Sequence, residues 1–357
     1  MILDKQKLLW GVVKGFGALS AGILLIAKCP YVRVMEAVCV DNSAYGNASV
    51  DAKLRQFKIR LPDSVGEDVR FAPSGTTEGN RVFLMGDSFL GYRRGHESLA
   101  QDLSESLQER VNVSSWNRAG PSCLFQGELP GARTGKRRVV VLERTEWHLT
   151  ELAEMEPCPS LVAPPGPARR WAQKIFDMVF SDSEERLRYL LFNSVITAPV
   201  VEAWNTELYA RFGILPSAAP IASASPPYLF SRVEVDPDFP SSFYAPHDDA
   251  LVSAIADNVE KTAEKLRSDY GAELIFLPIP SRYTIYHRFA RADPYDDFLP
   301  RLYKELARRK VAYVDLYDPF LSSRESVFFP TDVHWNGRGI TIAATAVFPA
   351  VRAVLRD

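Results

Sequence analysis

The stretch that most constrains this chain is Arg81-Val-Phe-Leu-Met-Gly-Asp-Ser-Phe-Leu90. Val82 to Met85 is apolar and β-favouring throughout, the pattern of a strand buried in a parallel sheet. It stops at a glycine, which permits a sharp turn. A long helical pattern follows, so Ser88 is expected at the carboxyl end of a strand and the mouth of a helix. Open α/β sheets place ligand sites there, and free backbone N–H groups there face developing negative charge. A serine in that position is a nucleophile only with a base beside it. Five histidines are available: His96, His148, His247, His287 and His334. The strongest candidate lies almost at the other end of the chain, in Thr331-Asp-Val-His-Trp-Asn336.

The chain between these two ends reads as their scaffold. A helix is expected from about Gly95 to Arg110, with Leu99, Leu103 and Leu107 at helical spacing, and a strand from Val111 to Trp116. Arg138-Val-Val-Val-Leu-Glu143 is the clearest buried strand. Then come a helix from about Asp248 to Tyr270, a strand from Ala272 to Pro278, a helix from Phe298 to Lys310, a strand from Val311 to Leu316 and a closing helix from Gly337 to Arg356. Strands alternating with helices predict an α/β fold with a parallel central sheet covered on both faces. Pro157 to about Tyr244 breaks the pattern with proline-rich stretches around a helical, aromatic segment. It reads as an insertion carried on the sheet, forming a cleft wall or packing against a neighbouring protein or the membrane.

Net charge is −2 and the charged fraction is 24%, which gives no sign of a general nucleic-acid binder. The start of the chain sets the compartment instead. Leu8 to Ala27 is interrupted by a single charge, Lys14, and about 20 apolar residues span a bilayer. Ala18-Leu19-Ser20 resembles a signal-peptidase site, but the apolar run continues past it, which favours an uncleaved anchor. The expected layout is therefore an anchor or signal peptide over 1–28, a stalk over 29–79 and a catalytic body over 80–357, extracytoplasmic (periplasmic). Cys29, Cys39, Cys123 and Cys158 have no metal-like spacing; in such a compartment one or two disulfides are plausible, with the pairing open.

An imidazole acting as a base needs an acceptor on its other nitrogen, and Asp332, two residues before His334, supplies one. Asp87 is expected to hold its turn through backbone hydrogen bonds, and Asp248 or its neighbours to cap the following helix. Tyr92 and His96 are candidate cleft residues. Trp335 is a candidate sugar-stacking platform, with core packing as the alternative. No metal-ligand set and no cofactor-binding loop is evident.

Gly86-Asp87-Ser88-Phe89-Leu90 resembles the first signature block of the SGNH (GDSL-type) hydrolase superfamily. Asp332-Val-His334 resembles its last block, in a compact Asp-x-His-Trp form similar to the branch of alginate O-acetylation proteins of the AlgJ and AlgX kind. Val141-Leu-Glu-Arg144 and Leu277-Pro-Ile-Pro280 agree with it. The resemblance implies a three-layer α/β/α flavodoxin-like fold, with Ser88 as acyl-accepting nucleophile, His334 as base and Asp332 as its orienter. It also implies oxyanion donors at the Ser88 N–H and at Gly120. The block-three Gly-x-Asn-Asp is absent, and Glu143-Arg144 stands in its place. Arg144 is a candidate for the missing oxyanion donor or for binding an acidic sugar, with Glu143 as its partner; a structural pair is the alternative.

The reading that follows is a membrane-anchored O-acetyltransferase acting on a polysaccharide through an acyl-serine. Its implied partners are a polysaccharide acceptor and a membrane-bound O-acyltransferase that supplies acetyl groups. A carbohydrate acetylesterase using the same residues and a non-catalytic carbohydrate-binding or assembly subunit are the alternatives. A metal-dependent phosphoesterase using Asp332, His334 and Asp87 lacks further ligands.

Overall fold

Four apolar runs line up as one parallel sheet. The computed structural model describes residues 80–91, 98–115, 129, 137–154, 198–215, 220–223, 227–330 and 332–356. The strands among them are β1 (Val82–Gly86), β2 (Val111–Ser115), β3 (Arg138–Thr145), the short β4 (Ile221–Ala222) and β5 (Leu229–Phe230), and β6 (Ala272–Ile279). The main sheet has the order β2-β1-β3-β6, all parallel, while β4 and β5 form a separate antiparallel pair. With β1 and β3 at its centre, the order reverses between them, the switch point at which open α/β sheets leave a crevice.

Strand alternation sorts the core into two layers. Val82, Leu84, Val139, Val141, Ile275 and Leu277 face one side. Phe83, Met85, Val140, Leu142, Leu274 and Phe276 face the other. The helices are α1 (Ser88–Gly91), α2 (Leu99–Leu107), α3 (Ala198–Phe212), α4 (Arg232–Val235), α5 (Asp249–Lys265), α6 (Arg282–Ala290), α7 (Phe298–Arg308), α8 (Tyr317–Leu321) and α9 (Gly337–Arg356). α2 and α9 cover the first side through Leu99, Leu103, Ile340, Ala343 and Val347, and α5 and α7 cover the second through Ile255, Val259, Leu299 and Leu302. Each large apolar side chain removed from water there contributes about 1.5–3 kcal/mol. The α/β/α layering is the one the sequence pattern predicts. α9 is long and apolar enough to cross a membrane by length and composition, but its buried face lies on the sheet.

Several boundaries shift for identifiable reasons. α2 ends at Gln108, which turns left-handed (φ 55°) and closes onto the Ser104 carbonyl. α5 begins after Asp248, whose side chain accepts the Leu251 N–H at 2.7 Å, the cap expected there. It continues into a π turn, Leu266–Tyr270, closed by left-handed Gly271. The expected strand at Val311–Leu316 is reduced to one parallel bridge, Phe276 to Tyr313. Asp315 bends away there to accept the Tyr317 N–H at 2.8 Å. α6, not anticipated after Pro278 and Pro280, starts from Ser281, whose Oγ accepts the Thr284 N–H at 3.1 Å.

The middle segment divides. Tyr228, Phe230, Val235 and Phe243 sit in the same core as Ile279 and Tyr283, so residues 228–244 belong to the sheet domain rather than to an insertion. The N-terminal span, the stalk, the four cysteines, Tyr92, His96 and Gly120 lie outside the described residues.

Candidate active site

β1 delivers a serine to the crevice because its last residue has no side chain. A Cβ on Gly86 would stand 2.1 Å from Glu143 Oε2 and 2.9 Å from Leu90 Cδ1, so only glycine fits between β1 and the end of β3. The turn that follows is hydrogen-bonded on both sides. Asp87 Oδ1 accepts the Phe89 N–H at 3.0 Å, as expected for a turn-stabilising aspartate, and Oδ2 accepts the Thr145 hydroxyl at 3.1 Å. The Asp87 N–H in turn donates to Glu143 Oε2 at 2.7 Å. Ser88 is left exposed at the start of α1.

The second half of the site is a loop held from below. Arg282, wholly buried, donates through Nη1 to the carbonyls of Phe329 (2.9 Å), Pro330 (3.2 Å) and Asp332 (2.6 Å), and through Nη2 to that of Leu229. Glu234, equally buried, faces Arg282 at 3.3 Å and accepts the N–H groups of Ser231 at 2.7 Å and Tyr283 at 3.1 Å. A charge pair without water survives only when its remaining donors and acceptors are satisfied, and these backbone groups satisfy them. The end of β3 serves this half as well. Glu146 accepts the Ser281 N–H and the Tyr295 hydroxyl, each at 2.7 Å, beside the start of α6. Burial raises its carboxyl above the ordinary value.

The two halves meet at His334. Ser88 Oγ lies 2.7 Å from His334 Nε2, and His334 Nδ1 lies 2.5 Å from Asp332 Oδ1, which also accepts the His334 backbone N–H at 2.8 Å. A carboxylate only accepts, so Nδ1 carries the proton and Nε2 turns its lone pair to the serine. Burial alone would raise the Asp332 carboxyl. The His334 ring beside it, its hydrogen bonds and Arg282 outweigh that and hold it below the ordinary value. Exposure falls along the relay, from open Ser88 to side chains 12% exposed at His334 and 3% at Asp332. The other described histidines bind elsewhere: His148 to Glu151, His247 to Asp296 and His287 to the Thr284 carbonyl.

Two expectations are corrected. Trp335 is no sugar platform: it is fully buried, its ring edge-on to Phe89 at 5.4 Å, and Phe89 in turn packs on the His334 ring at 4.7 Å. It supports the His334 ring from inside the core through Phe89. Arg144 does not pair with Glu143. Neighbours on a strand point to opposite faces, so Glu143 goes under the Ser88 turn and Arg144 is ion-paired with Glu151. Arg282 and Glu234 were missed. Their only signal was a charge placed just after an apolar strand end, which ordinarily reads as surface. Among the described residues no cluster of three or more His, Cys, Asp or Glu gathers as a metal site.

The site thus combines a parallel sheet, a serine after β1 and an Asp-x-His loop before α9. Residues 228–356 match the family model of the SGNH hydrolase-like domain of acetyltransferase AlgX, so this part of the chain is similar to that domain. The match spans β5, Arg282, Asp332 and His334, while Ser88 lies outside it. A comparison with curated proteins gives no match.

Proposed function

We propose that this chain is a membrane-anchored, extracytoplasmic O-acetyltransferase that modifies a polysaccharide through an acetyl-Ser88 intermediate. The observation that carries the chemistry is the continuous contact from Ser88 Oγ through His334 to Asp332. The match to an acetyltransferase domain supports the acyl group and a polysaccharide-related role.

In the first half-reaction the Ser88 proton passes to His334 Nε2 as Oγ attacks the acetyl carbonyl. The negatively charged tetrahedral intermediate collapses, and His334 returns the proton to the departing oxygen, leaving acetyl-Ser88. In the second half, His334 takes the proton of an incoming sugar hydroxyl, whose oxygen attacks the acyl carbon. Collapse transfers the acetyl group and the proton returns to Ser88 Oγ. Asp332 fixes the tautomer and stabilises the imidazolium in both halves. A membrane-bound O-acyltransferase fits the role of donor, the N-terminal apolar segment that of anchor.

The exposure of Ser88 favours one second reading, an acetylesterase in which water replaces the sugar hydroxyl. Full-length protein incubated with p-nitrophenyl acetate, followed by intact mass, tests the shared step. An acetyl adduct present in the parent and absent from Ser88→Ala is expected, and serine-independent turnover would sink both readings. Adding polysaccharide then separates them, because only a transferase moves the label to the polymer.

A further inference from the structure

Glu143 takes no part in the proton relay, yet it lies directly beneath the nucleophile turn. It is wholly buried. Oε2 accepts the Asp87 N–H, and Oε1 meets no hydrogen-bond partner among the described residues. The charged groups acting on it are Asp87, from the turn, and Arg144, next to it on β3. Among the described residues, Leu277 on β6 is its register partner, and Leu90 lies against Gly86. Burial first, and then the Asp87 charge, push the Glu143 carboxyl well above its ordinary value.

We propose that Glu143 is the positioning residue of the Ser88 turn, its buried carboxyl holding the Asp87 amide and thereby setting the approach of Ser88 Oγ to His334 Nε2. This rests on Ser88 being the nucleophile. A negative Glu143 faces the Asp87 carboxylate, whose two oxygens hold the Phe89 amide and the Thr145 hydroxyl. Glu143 packs directly against the turn, since a Cβ on Gly86 would already meet it and Leu90. Repulsion between the two carboxylates therefore acts on the turn and on the 2.7 Å approach of Ser88 Oγ to His334 Nε2. A displacement near 1 Å costs on the order of 10²-fold in rate.

The test is the pH profile of p-nitrophenyl acetate turnover by full-length parent, Ser88→Ala, Glu143→Gln and Glu143→Met. Glutamine stays neutral, accepts the Asp87 N–H and is isosteric. It is expected to keep turnover within about 3-fold of the parent at the parent's optimum and to lack the alkaline limb expected of the parent. Methionine keeps the volume without the hydrogen bond; it should turn over more slowly, also without the limb, and serves where glutamine does not fold. Melting reports the ionisation of Glu143 independently of turnover. A carboxyl raised in the folded state stabilises fully below its unfolded pKa and loses that contribution as pH rises through the folded one. The parent should therefore lose melting temperature relative to Glu143→Gln as pH rises. An alkaline limb shared by the parent and both neutral variants overturns the proposal while leaving the nucleophile intact. Turnover equal in parent and Ser88→Ala is the different failure, that of the nucleophile itself, and removes the proposal with it.

Discussion

Ser88 Oγ and His334 Nε2 stand 2.7 Å apart although 246 positions separate them in the chain. The contact is built from two strand ends. β1 stops at Gly86 and leaves Ser88 above Glu143, while β3 and α6 hold the loop that precedes α9. Phe89, the residue after the serine, packs on the His334 ring, so the two halves are joined by apolar contact as well as by a hydrogen bond.

Replacing Ser88 with alanine should lower ester turnover by at least about 10³-fold. Ser88 is exposed, so unfolding free energy should stay within about 0.5 kcal/mol of the parent. Steady-state kinetics and urea unfolding on the same preparation separate the two effects. A slow variant that is also unstable would leave the nucleophile unassigned.

Asp332→Asn should keep the loop but favour the wrong His334 tautomer, at a cost of roughly 10⁴-fold in turnover, by the magnitude known for another Ser-His-Asp enzyme. It also has a pH signature. The folded Asp332 carboxyl lies below its ordinary value, so it contributes stability above the unfolded carboxylate pKa and loses it as pH falls through the folded one. The melting deficit of Asp332→Asn should therefore be widest near neutrality and narrow in acid. A deficit that stays constant with pH would contradict the assigned contact between Asp332 and His334.

The two signature ends of the site were legible because each is local: an apolar strand stopping at glycine, and an Asp-x-His pair before a helix. The four-stranded sheet and its covering helices were legible from periodicity alone. Pairings set by the third dimension were not. Glu143 and Arg144 are adjacent in sequence and opposite in charge, which suggests a pair. The pleat sends them to opposite faces, under Ser88 and toward Glu151. Residues 228–244 read as insertion because short β5 and α4 carry no long period, yet Glu234 from this segment completes the buried pair with Arg282. The strand expected at Val311–Leu316 failed for a similar reason, since Asp315 is recruited as a turn acceptor.

Arg282→Met should cost about 3–5 kcal/mol, because it leaves Glu234 charged and buried and strips the Asp332 loop of its donor. The double variant Arg282→Met, Glu234→Met removes the orphaned charge as well and should regain part of that loss. Turnover should stay low in both, since neither restores the donor to the Asp332 carbonyl. Denaturant unfolding of the four members of the cycle gives the coupling. Strictly additive effects would mean that the pair does not act as a unit.

Trp335→Phe tests the corrected role of the tryptophan. The indole is fully buried, and its N–H meets no acceptor among the described residues, so phenylalanine removes no hydrogen bond and leaves a smaller ring against Phe89. Trp335→Ala opens a cavity and should cost about 3–5 kcal/mol, whereas Trp335→Phe should cost clearly less. If the residue acts through Phe89 on His334, turnover should fall in step with lost packing, and polysaccharide affinity should be unchanged in Trp335→Phe. Migration of the parent and Trp335→Phe through gels containing polysaccharide measures that affinity directly. Selective loss of retardation in the phenylalanine variant, at unchanged melting temperature, would return Trp335 to the substrate side of the site.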